Sequence, residues 1–126
     1  CPVCAGSHGR PLLPHAPVLA SVAYADPWVV VAVADVREAS AIGIDAELEG
    51  AAPELGALFA PQDPPDLPGW TAIEAVLKAD GRGLLLPPDQ VCFSTDGRAA
   101  VPGGGEFRVF PVHAEPGLIV TLATAA

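Results

Sequence analysis

Short apolar segments separated by turn residues dominate the first third of the chain. Residues 18–24, 28–34 and 41–47 are rich in valine, isoleucine and alanine, which is typical of β-strands. The segment 28–34 (Trp-Val-Val-Val-Ala-Val-Ala) has no polar position, so it predicts a buried strand. The pattern therefore predicts three strands before residue 50.

One main helix is predicted, at residues 70–78, which are rich in helix-forming residues and are followed by Gly81 as a terminator. The preceding segment 61–68 contains four prolines and is predicted to be extended. Residues 53–59 predict one or two helical turns. Three further strands are predicted at 91–95, 106–112 and 118–123. This order of elements, strands followed by one main helix and then more strands, predicts an α+β fold. In such a fold an antiparallel sheet packs against the main helix.

The length and charge narrow the class of protein. A chain of 126 residues predicts a single domain over residues 1–126, and a hydrophobic content of 51% is enough for a core. Six basic residues against fifteen acidic ones give a net charge of −9 without a basic cluster, which argues against nucleic acid as a partner. No apolar run approaches the roughly 20 residues that span a bilayer, and no signal peptide is visible, so a cytoplasmic protein is expected.

Two carboxylates end the third predicted strand, in residues 43–47 (Gly-Ile-Asp-Ala-Glu). Because side chains alternate along a strand, Asp45 and Glu47 point to one face. They repel each other unless solvent or a cation neutralises them, and Mg²⁺ binds through one or two carboxylates plus waters and phosphates. On spacing alone, a solvated strand end is the favoured interpretation.

Glu74 is a third candidate with a structural alternative. Thr71 and Glu74 have the T-x-x-E spacing of a capping box, in which the threonine caps a helix and the glutamate binds the cap amide. A glutamate in the first turn also suits the helix dipole. The spacing alone therefore favours a structural role for Glu74.

The order of these motifs resembles a known family. Residues 43–47, followed by 70–84 (Trp-Thr-Ala-Ile-Glu-Ala-Val-Leu-Lys-Ala-Asp-Gly-Arg-Gly-Leu), resemble the paired signatures of 4'-phosphopantetheinyl transferases. Residues 1–11 (Cys-Pro-Val-Cys, then His-Gly-Arg-Pro) are similar to a segment of surfactin-type members. The chain is identified as a divergent, truncated member of this superfamily. Residues 1–40 would end the first half of the pseudo-dimeric fold, and 41–126 would form the second.

The resemblance implies a site and a reaction. Asp45, Glu47 and Glu74 would be the metal positions, holding Mg²⁺ against the pyrophosphate of coenzyme A, with Asp45 and Glu74 acting in catalysis. A serine of an acyl or peptidyl carrier protein would attack and release 3',5'-ADP. Lys78 would neutralise phosphate charge, and Arg10 would contact a further phosphate. Such transfer depends on positioning and on cations that absorb charge.

Three departures from the family keep other functions open. The family's Ser-x-Ser-His stretch, which binds the nucleotide 3'-phosphate, ends here in Ala23 and Tyr24, and the lysine before the motif glutamate is Ile73. The segment 48–69 is short and proline-rich. The lost cations weaken the expected coenzyme A site, and the net charge disfavours an acidic carrier protein, so both argue against efficient transfer.

Two alternatives follow from these departures. The first is a repurposed member acting as a cyclase or lyase on a small molecule in specialised metabolite biosynthesis. In that case Glu74 or Asp45 would be a general acid or base, and Tyr24 a hydrogen-bond donor to the substrate. The second is a non-catalytic scaffold with solvated carboxylates. Since the family joins two similar halves, a homodimer is also predicted.

Two smaller predictions concern cysteines and tryptophans. Cys1 and Cys4, with His8 nearby, resemble half of a zinc site, and reduced thiols are the alternative interpretation. Trp28 and Trp70 are predicted to anchor the core.

Overall fold

The computed structural model describes residues 10–126, so the cysteine pair and its neighbouring histidine lie outside the described residues. The predicted α+β class is confirmed. The strands are β1 (Val18–Ala25), β2 (Trp28–Asp35), β3 (Ala41–Leu48), β4 (Cys92–Phe93), β5 (Arg98–Ala100), β6 (Glu106–Val112) and β7 (Leu118–Ala125). The helices are α1 (Gly56–Phe59) and α2 (Leu67–Asp80), and two short 3₁₀ turns (Gly83–Leu85 and Pro88–Gln90) follow α2.

The strands form one antiparallel five-stranded sheet in the order β3-β7-β6-β5-β4, together with a separate β1-β2 hairpin. The central pair, β3 and β7, is in register from Ala41 opposite Ala125 to Leu48 opposite Leu118. Odd-numbered positions of β3 face α2, and even-numbered positions face the hairpin. The sheet therefore lies between the helix on one side and the hairpin on the other.

Helix α2 approaches β3 unusually closely at Gly43. A Cβ atom added there would lie 2.0 Å from the carbonyl oxygen of Ala75 and 2.5 Å from the amide nitrogen of Ala79. Glycine is therefore the residue that fits between the strand and the helix backbone. This contact fixes the distance between α2 and β3. That distance determines how far the side chains of α2 reach toward the end of β3.

The start of α2 differs from the prediction. Asp66 caps the helix by accepting a hydrogen bond from the Gly69 amide at 2.8 Å, and Pro68 lies in the first turn, where its missing donor is not needed. Thr71 is fully buried inside the helix. The capping-box interpretation of Thr71 and Glu74 is therefore wrong. The predicted end is confirmed, because Gly81 adopts a left-handed conformation with φ of 87°.

The prediction of a buried strand at residues 28–34 is wrong. Val29, Val31 and Val33 of β2 are 58%, 56% and 60% exposed, whereas Val30 and Ala32 pack against the hairpin-side apolar cluster. The segment is apolar on both faces, and the described chain covers only one of them. The uncovered valines form an outer apolar face of the hairpin.

The tryptophan predictions are half confirmed. Trp70 is buried and packs edge-on against Phe59, with ring centroids 6.1 Å apart. Trp28 is 40% exposed at the start of β2, so its prediction as a core anchor is wrong. Over residues 10–126, no helix is long and apolar enough to cross a membrane.

Candidate functional site

The Lys78 ammonium group joins three elements at one point. Its Nζ atom lies 2.9 Å from Asp45 Oδ1 and 3.0 Å from the Ile44 carbonyl oxygen, both on β3. A longer contact of 3.4 Å reaches the Val22 carbonyl oxygen on β1. Because an ammonium group has three protons, these acceptors use all of its donors. Lys78 therefore ties α2 and the hairpin to the end of β3.

Asp45 is buried with one oxygen bound and one free. Lys78 binds Oδ1, whereas Oδ2 is buried without a hydrogen-bond partner in the described part of the chain. Burial raises the pKa of Asp45 above its usual value, and the Lys78 hydrogen bond, the Lys78 charge and the Ala46 amide oppose that rise. Burying an oxygen without a hydrogen-bond donor costs free energy. Oδ2 is therefore available to bind a proton or a cation.

Glu74 and Glu47 complete an acidic cluster, the name used below for Asp45, Glu47 and Glu74. Glu74 lies one helical turn before Lys78 and so shares its face of α2. Burial raises the pKa of Glu74, and the Asp45 charge adds to the rise. The pKa of Glu47 is raised by the same two causes in the same order. The charges of Asp45 and Lys78 act on the pKa values of both Glu47 and Glu74, so strand alternation and helical spacing bring the predicted carboxylates within electrostatic range of Lys78.

The acidic cluster fits a cation that takes few protein ligands. Among residues 10–126, no three His, Cys, Asp or Glu side chains are close enough to hold a metal ion together. Mg²⁺ does not need three, because it is usually bound through one or two carboxylates with waters and substrate phosphates. The unpartnered Oδ2 atom of Asp45 suits that mode.

Sequence reasoning missed a pair of buried threonines beside the cluster. Thr121 of β7 stands directly opposite Asp45 in the β3-β7 pair. Its hydroxyl lies 3.0 Å from that of Thr71 on α2, and the Thr71 hydroxyl lies 2.8 Å from the Pro68 carbonyl oxygen. The sequence signal that could have indicated Thr121 is its position as a polar residue in the middle of an apolar strand, Leu118–Ala125.

Arg10 lies near the C-terminal end of α2 rather than in the acidic cluster. It is exposed, and a Cβ atom at Gly81 would be 3.1 Å from its guanidinium. The pKa of Asp80 is lowered mainly by its hydrogen bonds with Arg82, and the Arg10 charge contributes to the same direction. Arg10 is thus about one helical turn beyond Lys78.

Two of the departures from the family, at residues 21–24 and at Ile73, have distinct places in the structure. Tyr24 is 76% exposed and pairs with Val29 on the hairpin, so the structure does not bring its ring into the acidic cluster. Ile73 and Ala23 are buried in the two apolar clusters on opposite sides of the sheet. Ser21 is also buried, and its hydroxyl accepts a hydrogen bond from the Ile44 amide at 3.0 Å. Ile73 and Ala23 therefore serve packing, whereas Tyr24 is exposed.

No protein-family model matches the sequence, and no curated protein matches it. The resemblance to phosphopantetheinyl transferases therefore stays a prediction based on motif order. In the structure Lys78 contacts Asp45 and lies within electrostatic range of Glu47 and Glu74.

The raised pKa of Glu74 predicts that stability falls as pH rises. Above the ordinary value of 4.5, the unfolded chain releases this proton while the folded chain still holds it, so each pH increase favours unfolding. As pH rises above 4.5, the unfolding free energy in urea and chelator should drop more for the wild type than for Glu74→Gln. Glu54→Gln, at an exposed position, should follow the wild type. If the unfolding free energy falls with pH equally steeply for Glu74→Gln and the wild type, this interpretation of Glu74 is contradicted.

Proposed function

We propose that this protein is a Mg²⁺-dependent enzyme of the phosphopantetheinyl transferase type. It moves the phosphopantetheine arm of coenzyme A to a serine of an acyl or peptidyl carrier protein in the cytoplasm. The observation that carries the proposal is the buried, unpartnered Oδ2 atom of Asp45 inside the acidic cluster. The α+β arrangement also supports it, since one sheet packed against one main helix suits half of a pseudo-dimeric transferase.

Each residue of the site has a role in the proposed reaction. Mg²⁺, when bound, would neutralise and orient the pyrophosphate of coenzyme A. Asp45 would offer Oδ2 to the cation while Lys78 fixes the carboxylate through Oδ1. Glu74, whose pKa is raised by burial, would accept the proton of the attacking serine. The serine oxygen bonds to the β-phosphorus, and the bond from that phosphorus to the bridging oxygen breaks, releasing 3',5'-ADP.

Calorimetry with coenzyme A tests the proposal directly. With Mg²⁺ we expect micromolar binding, roughly −8 kcal/mol. With a chelator the heat should disappear, because the carboxylates then repel the phosphates. Binding that is absent in both buffers would contradict the transferase assignment. Binding that survives chelation would contradict the role of the metal.

One observation favours a second candidate function, a cyclase or lyase acting on a small molecule. All three protons of Lys78 are used by protein acceptors, which leaves the acidic cluster without a free cation from this residue for a phosphate. Glu74, half-buried and with a raised pKa, would then act as a general acid or base. This candidate predicts turnover that persists in chelator.

The outer apolar face of the hairpin supports association between two copies of the chain. Val29, Val31 and Val33 are exposed on a strand that is paired on one side only in the described residues. We propose a homodimer through this face. A monomeric mass by light scattering at micromolar concentration would contradict it.

A further inference from the structure

The two buried threonine hydroxyls are placed where they control the surroundings of Asp45. Thr121 and Asp45 are directly opposite each other on β7 and β3, and both side chains face α2. Side chains in such a pair have Cβ atoms about 5 Å apart, so a rotated Thr121 hydroxyl would reach the carboxylate. The absence of any partner for Asp45 Oδ2 among residues 10–126 therefore needs a cause.

The hydrogen bond between the two threonine hydroxyls supplies that cause, because it holds Thr121 Oγ1 toward Thr71 on the helix. The Thr71 hydroxyl has one proton, and its contact with the Pro68 carbonyl oxygen at 2.8 Å uses it, because a carbonyl only accepts. In the 3.0 Å contact between the hydroxyls, Thr121 must then be the donor. The Thr121 proton is thus directed toward the helix and away from Asp45.

We infer that Thr71 is a positioning residue that keeps the Thr121 proton away from Asp45, so that Oδ2 remains free to bind a cation. This inference rests on the proposed function of the acidic cluster. Without Thr71 as an acceptor, Thr121 would turn to Asp45 Oδ2, the only buried side-chain oxygen without a partner among residues 10–126. A hydroxyl bound there would compete with a metal ion for the same atom.

Mn²⁺ alone is a suitable probe, since it takes the same oxygen ligands as Mg²⁺ and its free form is measured by electron paramagnetic resonance. Thr71→Val keeps the side-chain shape but removes the acceptor, and should weaken Mn²⁺ binding about tenfold. Thr71→Ser keeps the hydroxyl and should bind like the wild type. The double variant Thr71→Val with Thr121→Val has no proton to redirect and should regain the wild-type affinity.

Several outcomes would overturn the inference. Thr71→Val with unchanged affinity would do so, and so would a double variant that binds more weakly still, which is the result expected of a merely structural hydroxyl pair. Thr121→Val, which leaves Thr71 in place, should retain wild-type affinity, and a loss there would also count against the inference.

A crystal structure of Thr71→Val separates this inference from the proposed function. Thr121 Oγ1 should lie within hydrogen-bond distance of Asp45 Oδ2, and a Thr121 hydroxyl that stays turned toward the helix would overturn the inference. If the wild type and Asp45→Asn bind Mn²⁺ equally, the proposed metal site is wrong. The crystal structure would still report the hydroxyl direction in that case.

Discussion

Asp45→Asn is expected to lower the rate of phosphopantetheine transfer about 100- to 1,000-fold. Asparagine keeps the shape of the side chain but removes the charge that would hold the cation. It also replaces one acceptor oxygen with a donor. The rate is measured by mass spectrometry of a carrier protein incubated with coenzyme A and Mg²⁺.

The matched control is Asp63→Asn, at an exposed position distant in sequence from the acidic cluster. It makes the same change of charge and should keep the wild-type rate. Transfer that is unchanged in Asp45→Asn would show that Asp45 is not the metal position. If the wild-type protein modifies no carrier protein, the cyclase or lyase proposal is favoured.

Lys78→Met should have the largest effect on stability, a loss of about 3 kcal/mol. Methionine preserves much of the side-chain volume but leaves Asp45 as a buried carboxylate without its cation. The Ile44 carbonyl oxygen also loses its ammonium donor. The loss should fall toward the lower end of the range for such pairs, because the Lys78 side chain is 32% exposed. Urea unfolding at neutral pH in chelator measures it.

A double-mutant cycle tests the cause of that loss. Adding Asp45→Asn to Lys78→Met removes the uncompensated charge and should restore part of the unfolding free energy. Arg108→Met is the control, because Arg108 is exposed and makes no ion pair within the described residues, so it should change stability by less than about 0.5 kcal/mol. Strictly additive losses at Lys78 and Asp45 would contradict the ion-pair explanation.

Much of the fold could be predicted because its signals are local. Apolar segments bounded by turn residues located β1, β2, β3, β6 and β7, and helix formers before a glycine located most of α2. The three-residue strand Arg98–Ala100 was missed because so short a segment carries almost no pattern. The exposure of β2 was missed because a strand that is apolar on both faces does not show which face is covered.

The site was predictable in its parts but not in its assembly. Alternation places Asp45 and Glu47 on one face of a strand, and helical spacing places Glu74 and Lys78 on one face of a helix. That these faces meet, and that Lys78 binds Asp45 while retaining no free proton, depends on how closely α2 approaches the sheet. Thr121 could not be assigned a role from sequence, since its register with Asp45 exists only in the folded sheet.

The exposed β2 strand makes ionic strength a practical concern for anyone who handles this protein. Molecules that carry a net charge of −9 repel one another in dilute buffer. In about 1 M salt the Debye length shrinks to about 3 Å, and that protection is lost. Strand residues 28–34 have no lysine, glutamate or proline to block edge-to-edge contact. Purification and storage in high salt should therefore promote precipitation, whereas low salt should keep the protein dispersed.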